Sequence, residues 1–229
     1  MWKYIMWKRG FTKGVLNKFY SYLDLTFSDH GFLRLFWTSF YRLPGDMYRC
    51  NQPYPYQILK YKKKYGVKTI INLRGKRNCS SYYLEKECCD NNSINLHNFP
   101  ITSRDLPSKK TIKDFFSLLD SIQYPALMHC KSGADRAGIA SCLYLIYKYK
   151  YDVKTALKQL SFKFLHIKYA KTGILDHLFE TAIRKKKNSS REFLKWIEID
   201  YNKSELKDSF KLYKFHSFVV DKILKREWK

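Results

Sequence analysis

From Met47 onward, short apolar runs alternate with longer stretches in which apolar residues return every three or four positions, the pattern of strands alternating with helices. Met47-Tyr48-Arg49-Cys50 reads as a first short strand. After Pro53 and Pro55 a helix runs through Gln57 to Tyr65 and closes on Gly66 as a C-cap. Val67 to Leu73 is a strongly apolar strand, residues 81–90 a helix, Ile94 to Phe99 another strand and Pro100 to Pro107 a loop. Ser108 has the position of an N-cap for a helix through Phe115, Phe116, Leu118, Leu119 and Ile122. Tyr124 to Met128 reads as a buried strand, and helices at about 135–150, 153–164 and 173–187 follow. This order predicts an α/β fold with a mostly parallel central sheet flanked by helices.

The two ends have a different texture. Residues 1–43 are basic and aromatic, with Val15, Leu16, Phe19, Tyr20 and Leu23 on one helical face and a second cluster at Phe32, Leu33, Leu35, Phe36, Trp37, Phe40 and Tyr41. Pro44-Gly45 marks the start of the domain proper. From Arg184 the chain turns basic and helical again, with apolar positions at Phe193, Trp196, Ile197, Phe210, Phe215, Val219 and Ile223. The predicted division is a basic aromatic N-terminal extension, 1–43, a catalytic domain, 44–183, and a basic helical C-terminal extension, 184–229. The N-terminal rings, Trp2 and Trp7 among them, either pack on the domain or lie on anionic lipid.

Between the strand ending at Met128 and the next helix stands His129-Cys130-Lys131-Ser132-Gly133-Ala134-Asp135-Arg136. A strand, a loop of small residues and a helix start aim backbone N–H groups at one point, which makes an anion site. The same dipoles, with Arg136, stabilise a Cys130 thiolate as a nucleophile at neutral pH. Arg136 grips two oxygens at once and suits a transferring phosphoryl group better than a lysine does. Arg74 lies in the loop after Leu73, at the edge where open α/β sheets bind ligands, and is a second anion contact in prospect.

The C-x5-R pattern with its preceding His129 resembles the signature of the cysteine-dependent protein tyrosine and dual-specificity phosphatases, and within them the compact bacterial dual-specificity-like branch. Tyr48 to Pro53, Thr69 to Arg74 and Phe99 to Asp105 match further segments of that family, so the likeness covers roughly residues 44–180. Rhodanese-type sulfurtransferases are the main mimic, and Arg136 favours phosphate over them.

The resemblance implies a phosphomonoesterase that works through a phosphocysteine and needs no metal or cofactor. Cys130 is then the nucleophile and Arg136 the transition-state clamp. The N–H groups of Lys131, Ser132, Gly133, Ala134, Asp135 and Arg136 cradle the phosphoryl oxygens, and His129 orients the loop. The general acid is Asp105, in a loop upstream of the cysteine, or Asp135, as in the similar C-K-S-G-x-D-R loops of inositol-phosphate enzymes. In one departure from the pattern, Ala137 stands where relatives carry a hydroxyl that helps break the intermediate down. An inositol-phosphate or phospholipid phosphatase and an RNA 5′-phosphatase remain alternatives on the same loop.

The net charge of +24 calls for an anionic partner: a phosphorylated protein, inositol phosphate or lipid as substrate, and an anionic membrane as a peripheral surface. The excess is spread as +5, +12 and +7 over the three segments and forms no recognisable nucleic-acid motif. Six cysteines without C-x2-C pairing, one of them wanted as a thiolate, indicate a reducing compartment. No secretory signal is visible and the longest apolar run, residues 137–147, is too short to cross a bilayer. The expected location is cytoplasmic, with peripheral membrane contact allowed.

Overall fold

Five strands make one sheet, and its central strand ends at Cys130. The computed structural model describes residues 7–210, so Trp2 and the expected apolar positions Phe215, Val219 and Ile223 lie outside the described residues. In chain order the elements are α1 (Val15–Leu23), a π-helical turn (Asp24–Ser28), α2 (Phe32–Phe36), β1 (Tyr41–Leu43), β2 (Met47–Asn51), α3 (Pro55–Tyr65), β3 (Thr69–Asn72), α4 (Ser80–Asp90) and β4 (Asn95–Asn98). There follow α5 (Lys109–Ser121), β5 (Ala126–Cys130), α6 (Asp135–Tyr149), α7 (Val153–Leu157), 3-10 turns at Phe162–Phe164 and Lys171–Gly173, α8 (Ile174–Arg184), α9 (Ser190–Ile199) and α10 (Lys203–Ser209).

The chain divides into two compact units, residues 1–100 with 123–132 and residues 101–122 with 133–229. The first holds the sheet, in the order β1-β2-β5-β3-β4. Only the β1–β2 pair is antiparallel; β2–β5, β5–β3 and β3–β4 are parallel. The fold is thus the mostly parallel α/β sheet with flanking helices that the sequence predicts, with β1 as an unanticipated antiparallel edge. All residues of β2, β3 and β5 are buried, so none of these strands alternates between a buried and an exposed face. Register sets Asn51 opposite Cys130 and Asn72 opposite His129, so the carboxyl ends of three neighbouring strands finish level.

Helices α3 and α4 flank this sheet in the same unit. Gly66 ends α3 at φ 68°, a left-handed conformation open to glycine at no steric cost. Beneath them Tyr48, Cys50, Ile58, Tyr61, Val67, Ile70, Cys88, Cys89, Ile94 and Leu127 form one core cluster, with Phe40 stacked 4.3 Å from the Tyr61 ring. Cys88 and Cys89 are therefore packing residues as free thiols.

The second unit is helical. Ser108 caps α5, its Oγ accepting from Thr111 N at 3.0 Å. The helix expected over 153–164 is instead broken: α7 stops at Leu157, and a 3-10 turn begins at Phe162. The cause is tertiary. A Cβ on Gly138 of α6 would stand 2.5 Å from Leu160 Cδ2 and 3.1 Å from Gln159 O, so the turn after α7 drops Leu160 into the groove that only glycine leaves. Phe193 and Trp196 of α9 are buried, and Phe193 stacks on Phe179 of α8. Among the described residues no helix is long and apolar enough to cross a membrane.

Candidate active site

β5 runs through the middle of the sheet and delivers His129 and Cys130 at its end, both buried. The chain then turns through Lys131 to Ala134 and enters α6 at Asp135. Gly133 takes φ 76°, a left-handed geometry in which an L side chain would be strained. Arg136 follows in the first turn of α6, where the helix dipole favours an anion.

A line of polar contacts runs through the first unit to the residue before Cys130. His129 Nε2 lies 2.6 Å from Glu85 Oε1. Glu85 Oε2 accepts from Gln52 Nε2 at 3.0 Å, and Gln52 Oε1 accepts from Arg74 Nη1 at 3.1 Å. The Gln52 backbone N–H donates to Lys131 O at 3.4 Å. His129 and Glu85 are fully buried, so each fixes the other's position.

Arg74, expected as a substrate contact, is buried and engaged within the chain. Its Nη1 and Nη2 donate to Asp29 Oδ2 and Oδ1 at 2.7 and 2.9 Å. The same carboxylate accepts from Arg34 Nη1 at 3.0 Å and Ser81 Oγ at 2.6 Å, and Lys131 Nζ stands 3.5 Å away. Burial opposes ionisation of Asp29, but Arg74, Arg34 and Ser81 outweigh it and hold the carboxyl well below the usual range. Lys131 and Arg74 thus meet at one carboxylate, supplied from between α1 and α2.

The two acid candidates both lie in the second unit and have different partners. Asp135 is buried, and its Oδ1 sits 2.7 Å from His166 Nδ1, while His166 Nε2 sits 2.6 Å from Asp176 Oδ2. Burial pushes the imidazole down, but the two carboxylates more than reverse this and raise it to about 9. His166 is therefore an imidazolium at neutral pH with a carboxylate on each side. Asp105 is partly exposed, with Oδ2 at 2.6 Å from Lys203 Nζ and Oδ1 at 3.6 Å from Lys207 Nζ. Burial raises it, yet the Lys203 hydrogen bond and charge bring it below the ordinary carboxylate value.

Asp29, Glu85, His166 and Asp176 carry no local sequence signal of a role, and Gln52 is marked only as part of the Tyr48 to Pro53 segment. Asp29, Glu85 and His166 lie far along the chain from their partners Arg74, His129 and Asp135.

A mostly parallel sheet whose central strand ends in a cysteine, followed by a glycine turn and a helix carrying arginine, defines a cysteine-dependent phosphatase. The sequence profile of the family described as DSP-PTPase phosphatase fused to NAD+ Kinase matches residues 48–172, and the chain belongs to that family of dual-specificity-type phosphatases. Its fold is similar to that of TpbA from P. aeruginosa, at 18% identity and a TM-score of 0.50 over 70% of this chain and 91% of that one. It is also similar to the core catalytic domain of the PP-IP phosphatase SIW14 from S. cerevisiae, at 15% identity and a TM-score of 0.50 over 66% of this chain and 94% of that one. No curated protein matches the sequence.

Proposed function

We propose that the chain hydrolyses phosphomonoesters through a phosphocysteine on Cys130. The observation that carries this reading is the position of Cys130, at the carboxyl end of the central strand and one short glycine turn before α6, within the residues matched by the phosphatase family. The thiolate attacks phosphorus, and the S–P bond forms as the ester P–O bond breaks. The N–H groups of Lys131 through Arg136 and the Arg136 guanidinium take up the charge on the three phosphoryl oxygens. The leaving oxygen receives a proton from Asp105. Water, deprotonated by the resulting Asp105 carboxylate, then attacks the phosphocysteine and releases phosphate and the free thiolate.

Asp105 is preferred over Asp135 because it lies partly exposed in the loop upstream of the cysteine, whereas Asp135 is buried against His166. Asp135 instead anchors the start of α6. Arg74 acts indirectly, its charge already matched by Asp29. His129, pressed against Glu85, orients the cysteine end of the loop.

The substrate is a phosphorylated molecule. We assign it to phosphoproteins or phosphorylated lipids met at an anionic membrane surface, in a reducing, cytoplasmic compartment. The basic charge and six free cysteines support this. The experiment is a phosphate-release assay with an aryl phosphate and a panel of phosphopeptides, inositol phosphates and phosphoinositides, with Cys130→Ser as the blank. Release by the wild type that Cys130→Ser does not abolish overturns the assignment.

A further inference from the structure

The segment from Trp7 to Phe40 is built inside out. The side chains that α1, α2 and the turn between them direct inward are mostly polar: Ser21, Asp24, Asp29 (5% exposed) and Arg34 (4%). Val15 (87% exposed), Leu16 (71%), Phe19, Phe27, Leu33 and Phe36 (89%) face outward. A helix packed on a water-soluble domain shows the reverse assignment, with its apolar stripe inside. Among the described residues Leu25 is the one large aliphatic of the segment that turns in.

The charges sort in the same direction. Both acidic residues of the segment are buried in ion pairs, Asp24 with Arg9 and Asp29 with Arg34 and Arg74. Lys8, Lys13 and Lys18 remain at the surface, and Lys18 also touches Glu87 of α4 at 3.2 Å. The outward face therefore offers rings, aliphatic groups and lysine charge, with no exposed carboxylate of its own. Contiguous apolar exposure of this kind marks a contact surface. Rings and leucines beside lysines fit the headgroup layer, where apolar groups enter the acyl boundary and ammonium groups meet lipid phosphates.

We propose that this face is a bilayer-docking surface for anionic phospholipid, lying in the interface without spanning it. The proposal deepens the membrane part of the functional reading and is independent of the catalytic part. The test is co-sedimentation of the full chain with vesicles of phosphatidylcholine alone and of phosphatidylcholine with phosphatidylserine, with turnover of a soluble aryl phosphate and the melting temperature measured alongside. The full chain is expected to pellet with the anionic vesicles and less with the neutral ones. Leu16→Glu and Phe36→Glu are each expected to weaken binding by about tenfold or more, the ratio for withdrawing one large apolar side chain from lipid, with turnover and melting unchanged. A full chain that stays in the supernatant with anionic vesicles at low salt overturns the proposal, as does binding that both variants retain. Self-association abolished by Phe36→Glu, without vesicle binding, also overturns it and assigns the face to a second copy.

Discussion

Asp29 and Arg74 form a buried two-pronged ion pair, carboxylate to guanidinium at 2.7 and 2.9 Å, that joins the segment before the sheet to the loop after β3. Arg34 shares the same carboxylate, so two enclosed guanidinium groups depend on it. Breaking a buried pair by removing one partner leaves uncompensated charge, and the cost is about 3–5 kcal/mol. We expect Asp29→Asn to lose stability on that order in urea unfolding. A change under about 1 kcal/mol would show that the guanidinium groups find other partners or water.

Cys130→Ser is expected to remove turnover of aryl phosphates while retaining phosphate-ester binding, because the hydroxyl is not ionised near neutral pH and the amide cradle survives. Arg136→Lys is expected to lose most activity as well, since a point charge does not reproduce the fork. Steady-state rates and isothermal titration with the Cys130→Ser protein check both.

Burial holds the thiols of Cys50, Cys79, Cys88 and Cys89 in their protonated form well above neutral pH. Iodoacetate at mildly acidic pH is therefore expected to label Cys130 ahead of these four, with protection by vanadate. Peptide mapping that finds uniform labelling would remove the thiolate from the mechanism.

Asp105→Asn is expected to slow esters with poor leaving groups by roughly a hundredfold or more, and activated aryl phosphates much less. Lys203 holds Asp105 below its ordinary value, so Lys203→Ala should raise it and carry the alkaline limb of the rate profile for poor leaving groups to higher pH. If Asp135→Asn shows the leaving-group dependence and Asp105→Asn does not, the two roles are exchanged.

His166 gives a prediction for stability against pH. Its folded value, raised to about 9, lies above the ordinary 6.5, so the native state binds the proton more tightly than the unfolded one. Its contribution is complete below about pH 6.5 and is lost as pH rises through about 9. Thermal melting of the wild type is expected to fall over that window, and His166→Gln should flatten the fall while lowering stability at neutral pH.

The strand, loop and helix around Cys130 were legible in the sequence because their signals are local: an apolar strand, small residues and a helix start all fall between Tyr124 and Tyr147. Parallel order followed from the alternation of elements. The helix broken after Leu157 was not legible, since the cause is the space above Gly138, which periodicity does not record. Nor was the orientation of α1: Val15, Leu16 and Phe19 at helical spacing reveal a face but not which way it points. Asp29, Glu85 and His166 were missed for a related reason. A buried charge is defined by its partner, and their partners Arg74, His129 and Asp135 come from distant parts of the chain.

The contacts from Asp29 through Arg74, Gln52 and Glu85 to His129 also bear on genetics. Inactivating alleles recovered from random mutagenesis should not be confined to the loop. They should recur at Gln52 and Glu85, two positions that carry no reacting atom, and a map of such alleles drawn along the sequence would look scattered while in space it traces a single path to the cysteine.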